Sequence, residues 1–239
     1  MMKQGALTLM RDLPLFEGVA DETLEALTYG ALLQWFPRET RLFAEGEIPD
    51  FLHILVEGTA MLAGCDEAGQ ETVIDIVRPG DCFVPAAVLA DAPYLMSART
   101  LESSRILMLA APVLRAQVAR DHALALRVMS TLVGQCRGLV REVKNLKLRT
   151  TTQRLAAFIL SQVDPSPQDE PEDGATVELP VSKRVLASRL GMTPEQLSRT
   201  FTKLTPHQLH VTGNTVRVRS VEQLRRHCNV GHPNGGPTV

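Results

Sequence analysis

The 239-residue sequence predicts an α+β fold in three parts: an N-terminal antiparallel β-roll, a long dimerisation helix, and a C-terminal helix-turn-helix with a hairpin wing. Three observations predict it. Between residues 42 and 109, short apolar runs alternate with turn residues, as in a sandwich or roll of closely spaced strands. From 121 to 148 no proline occurs, and apolar or small residues recur at alternating intervals of 4 and 3. From 183 to 202, small, glycine and apolar residues follow the spacing that two tightly crossing helices need.

Taken in order, a short helix is expected over residues 21–33, and strands over 42–43, 51–56, 60–63, 72–77, 82–84 and 106–109. Turns separate them at Glu45-Gly46-Glu47, Glu57-Gly58, Glu67-Ala68-Gly69 and Arg78-Pro79-Gly80-Asp81. In the long helix the stripe is Ala125, Met129, Leu132, Cys136, Leu139, Val143 and Leu146. A period of 3.5 keeps such a seam against a partner helix, which predicts a coiled-coil dimer. Leu126, Val133 and Val140 flank the seam and also allow the helix to pack on its own roll; the two readings are compatible.

Residues 151–163 read as another helix, 164–174 as an acidic, proline-containing solvated connection, and 177–179 as a short strand. Ala187 permits close helix approach and Gly191 takes the turn, while Leu186, Leu190, Met192, Leu197 and Thr200 fall on the buried sides. Thr193-Pro194-Glu195 opens the second helix with a cap, a first-turn proline and an early carboxylate. Residues 210–218 alternate around Gly213 as a hairpin wing, and the glycine- and proline-rich 229–239 reads as a disordered tail. The expected organisation is a sensor roll over 1–120, the dimerisation helix over 121–148, the winged helix-turn-helix over 149–228 and the tail.

The net charge of −2 hides an asymmetry. Residues 1–120 carry 9 Lys/Arg against 17 Asp/Glu, whereas residues 181–227 carry 9 against 2. Only the C-terminal part suits a polyanion, and release of counterions from phosphates would make its affinity fall steeply with salt. Four cysteines stand far apart, which argues against a disulfide scaffold or zinc knuckle. No apolar run reaches membrane length and residues 1–11 lack a signal-peptide pattern, so a cytoplasmic protein without a membrane partner is expected.

Within the second helix, Glu195, Ser198 and Arg199 lie three and four residues apart and share a face near the N-terminal end, the end that enters a major groove. An arginine fork fits guanine O6 and N7, a carboxylate accepts from cytosine N4, and a serine serves either kind of edge. Ser182 and Lys183, starting the first helix, and Arg217 in the wing suit phosphate. The plainer alternative makes Glu195 and Arg199 a surface pair that stabilises its own helix.

This order of roll, seam helix and winged head resembles the cyclic-AMP receptor protein and FNR family of bacterial transcription regulators, over roughly residues 12–226. The roll carries its signatures as Glu45-Gly46-Glu47, Glu57-Gly58, Glu67-Ala68-Gly69-Gln70-Glu71 and Gly80-Asp81. Glu195-Gln196-Leu197-Ser198-Arg199 is similar to the E-x-x-S-R pattern of the FNR subgroup, and with Pro194 most similar to the Dnr/Nnr regulators. The resemblance implies a cyclic-nucleotide-binding-like jelly roll, a homodimer, palindromic double-stranded DNA with TTGAT-type half-sites, and RNA polymerase as a further partner.

It also implies which effectors to doubt. Cyclic-nucleotide-binding members hold the ribose with a glycine and glutamate, and the phosphate with an arginine and a small residue. Val84 and Pro85 stand at the first pair and Leu95-Met96-Ser97 at the second. Burying an uncompensated phosphate is costly, so cyclic AMP or cyclic GMP is not expected in the usual mode; strand alternation places Arg99 away from the needed position. With Cys65 as the first cysteine, an FNR-type iron-sulfur cluster is not expected. Cys82 lies near the haem cysteine of a carbon-monoxide-sensing relative, but the neighbouring histidine is absent.

Haem-dependent nitric oxide sensing is the sharper effector hypothesis. It draws on the Dnr/Nnr-like helix and on the apolar Phe83, Val84, Val88, Leu89, Leu95 and Met96, with His53 and His122 as the only histidines before the head. Each histidine also reads as an ordinary core or surface residue, so no cofactor residue is assigned. Two other classes compete with the regulator. A cyclic-nucleotide module acting on a protein partner leaves the basic head unexplained. A cupin-like metal enzyme needs clustered ligands, and the roll strands offer only His53.

Overall fold

The computed structural model describes residues 2–163, 174–205 and 209–229. The expected solvated connection, apart from Gly174, and the expected tail, apart from Asn229, lie outside them. The chain forms two compact units, Met1–Leu139 and Val140–Val239.

In the first unit, α1 (Met2–Asp12), a 3-10 turn (Pro14–Phe16) and α2 (Asp21–Leu27) precede strands β1 (Leu32–Phe36), β2 (Arg41–Phe43), β3 (Phe51–Glu57), β4 (Ala60–Cys65) and β5 (Glu71–Val77). After them come α3 (Pro85–Ala90), β6 (Ser97–Thr100), β7 (Ser104–Ala110), α4 (Ala111–Val118) and α5 (His122–Leu148), whose C-terminal part belongs to the second unit. Two antiparallel sheets result, in the orders β1-β7-β3 and β2-β6-β4-β5.

Alternation along β7 explains why its sequence is apolar without a break from Ile106 to Ala110. Ile106 and Met108 point into the roll with Phe43, Leu55, Phe83 and Tyr94, while Leu107 and Leu109 meet a helical layer built on Met10, Phe16, Leu24, Leu114, Leu124 and Val128. Successive strand side chains face opposite ways, so a strand covered on both sides carries no polar stripe.

Two expectations for this unit are corrected. The helix expected over 21–33 ends at Leu27: Gly30 takes φ +76°, and Leu32 and Leu33 enter β1 instead. Residues 82–84 are not a strand. Cys82 makes an isolated bridge to Ile54, Val84 turns left-handed at φ +38°, and Pro85, whose fixed φ suits a first helical turn, begins α3. The apolar run there fills the core as a turn and helix, which periodicity over three residues cannot distinguish from a strand.

The second unit holds α6 (Thr151–Gln162), β8 (Ala175–Glu178), α7 (Lys183–Arg189), α8 (Pro194–Leu204), β9 (Leu209–Thr212), β10 (Thr215–Val218) and α9 (Val221–Asn229). Its small sheet is antiparallel in the order β8-β10-β9, and α6 packs against α8 and α9. Leu155, Ile159, Leu186, Leu197, Leu204, Val216 and Leu224 are buried.

Candidate nucleic-acid interface

The helix-turn-helix is built by its caps. Ser182 caps α7, its hydroxyl accepting from the Val185 amide at 3.4 Å. Leu190 ends the helix, and Gly191 at φ +62° takes a left-handed conformation that side chains disfavour. Thr193 then starts α8 with a capping box: its hydroxyl accepts from the Gln196 amide at 3.2 Å, and the Gln196 side chain accepts from the Thr193 amide at 3.0 Å. The sequence showed the cap but not this use of Gln196.

One face of α8 is buried through Leu197, Thr200, Phe201 and Leu204. The Thr200 hydroxyl donates to the Gln196 carbonyl at 2.6 Å, so its burial leaves that donor satisfied. Ala187, Leu186, Leu190 and Met192 are buried opposite. Glu195, Ser198 and Arg199 all lie on the exposed face. Hydrogen bonding from its own amide, then from the Thr193 hydroxyl, and the Arg199 charge hold the Glu195 carboxyl below its ordinary value, so it is ionised at neutral pH.

Ser182 and Lys183 are exposed beside this face's helix pair, with the Lys183 ammonium 5.9 Å from the Phe201 ring centre. Arg217 projects outward from β10 between buried Val216 and Val218, and Gly213, at φ +60°, closes the wing. Each phosphate candidate is thus solvent-accessible.

Along α5 two stripes diverge. Leu124 and Val128 are buried in the first unit's helical core, with Leu132 packed against it, whereas Met129, Leu139 and Val143 are each about half exposed, and Cys136 is exposed. Leu132, expected in the seam, therefore packs against the first unit's own core. Leu146, also expected there, places its Cδ2 only 3.1 Å from where a Cβ on Gly191 would stand, so part of it serves the helix-turn-helix. Leu126, Val133 and Val140 extend the exposed apolar surface.

In the roll, Val84 and Pro85 open α3, Leu95 is 79% exposed, and the Ser97 hydroxyl accepts from the Glu45 amide at 3.0 Å. The Arg99 guanidinium donates to Glu39 at 2.8 Å and to Glu71. His53 lies inside, its ring centre 5.5 Å from Phe43 and 6.2 Å from Phe83, with Nδ1 unpartnered among the described residues. Cys82 is buried, and burial raises its thiol to about 12. His122, at the start of α5, is exposed. Among the described residues no group of three or more His, Cys, Asp or Glu could hold a metal ion, and no helix is long and apolar enough to cross a membrane.

Comparison with known proteins fits this division. The chain matches a cyclic nucleotide-binding domain over residues 33–121 and a Crp-like helix-turn-helix domain over residues 153–227. It is 27% identical over 149 residues to the CRP-like cAMP-activated global transcriptional regulator of Mycobacterium tuberculosis, covering 62% of this chain and 61% of that relative's length. With the transcriptional activatory protein AadR of Rhodopseudomonas palustris it shares 30% identity over 183 residues, 75% of this chain and 73% of the other. FixK2 of Bradyrhizobium japonicum shares the fold, with a TM-score of 0.70 at 20% identity, covering 82% of this chain and 96% of its own. The chain belongs to the CRP/FNR family, a family of transcription regulators and not of enzymes.

Proposed function

We propose that the chain is a homodimeric, sequence-specific DNA-binding regulator that reads base edges with Glu195, Ser198 and Arg199 and grips phosphate with Ser182, Lys183 and Arg217. The observation that carries it is the exposed N-terminal face of α8, where an ionised carboxylate and an arginine stand one helical turn apart on a helix anchored behind by Leu197 and Phe201. Two copies meet along Met129, Leu132, Cys136, Leu139, Val143 and Leu146, and two-fold symmetry sets the heads about 34 Å apart on successive major grooves. Residues 1–120 act as the sensor, 121–148 as the dimerisation helix and 149–228 as the head.

The E-x-x-S-R run beginning at Glu195 supports an FNR-like, Dnr/Nnr-like reading of this helix, with TTGAT-type palindromes as the proposed sites and RNA polymerase as the proposed partner at promoters. The effector is not a cyclic nucleotide held in the usual mode. Support comes from Arg99, whose guanidinium already faces two carboxylates, and from the absence of any other cation in 82–98. A haem reading has one supporting structural observation, the buried His53, whose Nδ1 makes no hydrogen bond among the described residues; a porphyrin there has to displace the Phe43 and Phe83 rings. A Soret band on haem titration, lost in His53→Ala, supports that reading, and no stable band in either redox state removes it.

Sedimentation and gel shift test the main proposal together. A dimer that prefers a TTGAT palindrome over a scrambled duplex, with no gain from cyclic AMP or cyclic GMP, is expected. A monomer without preference among duplexes overturns it. Nucleotide binding without DNA binding favours instead a module acting on a protein partner.

A further inference from the structure

Arg154, in the first turn of α6, is bonded to two pieces of chain that are distant in sequence. Its Nη1 donates to the carbonyls of Leu146 and Arg149, each at 3.4 Å, and its Nη2 donates to the carbonyl of Gly191, also at 3.4 Å. The first two acceptors lie in the last turn of α5 and just past its end, where carbonyls lack ordinary helical donors. The amides four residues on, Thr150 and Gln153, are consumed by the capping box of α6, in which Thr150 donates to the Gln153 side chain at 3.0 Å and Gln153 to the Thr150 hydroxyl at 3.3 Å. Arg154 supplies donors in their place, and its charge suits the negative end of the helix.

The third acceptor lies in the turn between α7 and α8. Two further links join that turn to α5. Arg189, in the last turn of α7, pairs with Glu142 at 2.7 Å, the two side chains being only 19% and 23% exposed, so solvent screens this pair less than a surface one. Leu146 presses on Gly191, whose missing Cβ makes room for it.

We propose that Arg154 is a positioning residue: with the Glu142–Arg189 pair it fastens the helix-turn-helix turn to the C-terminal end of α5, so that α8 takes its orientation from the seam helix. Thr193 caps α8 only two residues after Gly191, which leaves little slack between the fastened turn and the reading face. In a dimer this arrangement fixes the spacing and angle of the two heads and gives a rotation of α5 a direct route to them. The proposal rests on the DNA-reading dimer above.

Two measurements on the full chain test it. In hydrogen exchange, Arg154→Gln is expected to speed exchange of the 191–193 amides about tenfold, with the buried amides of β10 unchanged; Glu142→Gln adds to the effect, and Arg154→Lys, which keeps the charge without the fork, falls between. In DNA binding, wild type is expected to lose about tenfold when two base pairs are inserted between the half-sites of a TTGAT palindrome, and Arg154→Gln only about twofold, with single half-site affinity equal in both. Unchanged exchange at 191–193 overturns the proposal. So does a parallel loss on palindrome and half-site with spacing discrimination intact, the mark of a merely destabilised head. If wild type shows no preference among duplexes, the dimeric reading fails and the exchange result alone decides the fastening.

Discussion

Gln196 and Thr193 hold each other's backbone amides, the Gln196 side-chain oxygen at 3.0 Å from the Thr193 nitrogen and the Thr193 hydroxyl at 3.2 Å from the Gln196 nitrogen. This reciprocal cap commits Gln196 to the helix terminus although it stands beside the proposed reading face. Thr193→Ala is expected to destabilise the second unit by ~1 kcal/mol and to weaken cognate DNA binding through a frayed first turn of α8. Thermal unfolding and fluorescence anisotropy measure the two effects. Cognate binding unchanged despite a lowered Tm would show that the first turn is not used for reading.

Arg199 and Glu195 lie one turn apart, and the Arg199 charge contributes to keeping the Glu195 carboxyl ionised. A base-reading arginine contributes roughly 1–3 kcal/mol of discrimination, and an i, i+4 surface pair only about 0.2–0.5 kcal/mol of helix stability. Arg199→Ala should therefore weaken cognate binding about 10- to 100-fold while changing affinity for random duplex far less. Equal losses on both duplexes sink the base-reading role.

The head was the most legible part of the chain because its constraints are local. A capped helix start, a glycine at φ +62° and buried Leu186, Leu190, Leu197 and Thr200 follow from spacing alone. The 82–84 segment reads as a strand because its apolar character reports burial, which Val84 and Pro85 achieve in a left-handed turn and helix as well as a strand would. β1 and β6 are not legible for another reason: Gln34 and Trp35 are exposed on an edge strand, and β6 is four residues long, so neither shows a usable alternation. The role of Arg154 leaves no mark in the sequence. Its acceptors at Leu146 and Gly191 are eight residues before and 37 residues after it, and no local pattern encodes that meeting.

Arg217 projects from the middle strand of the wing sheet, away from the buried Val216 and Val218. If it neutralises a phosphate, Arg217→Ala lowers affinity to a similar extent on cognate and random DNA. The slope of log K against log salt then becomes shallower by about 0.9 for each head. An unchanged slope removes the phosphate contact.

The two stripes of α5 predict opposite phenotypes from neighbouring apolar residues. Leu139 and Val143 are half exposed in the protomer, so Leu139→Asp or Val143→Asp is expected to yield a folded monomer with an unaltered circular dichroism spectrum. Leu124 is fully buried in the first unit, and Leu124→Ala is expected to cost about 2–5 kcal/mol of stability. Sedimentation and denaturant unfolding separate the outcomes. A dimer surviving both aspartate substitutions places the interface elsewhere.

His53 supplies a pH dependence whose sign follows from its surroundings. Burial among the roll's aromatic rings pulls its pKa from 6.5 down to about 4, against a smaller opposing effect from the Phe51 backbone. Below pH 6.5 the unfolded chain takes up a proton that the folded roll refuses until about pH 4, so the unfolded state binds more protons across that window. The stability contributed by neutral His53 is complete above pH 6.5 and is lost progressively as the pH falls toward 4. The full extent is on the order of 3 kcal/mol. His53→Phe removes the titrating group, so denaturant unfolding of wild type and variant at pH 7 and pH 4 should show the wild type losing more stability by that order. Parallel losses in the two proteins would mean that the imidazole meets water before the roll unfolds.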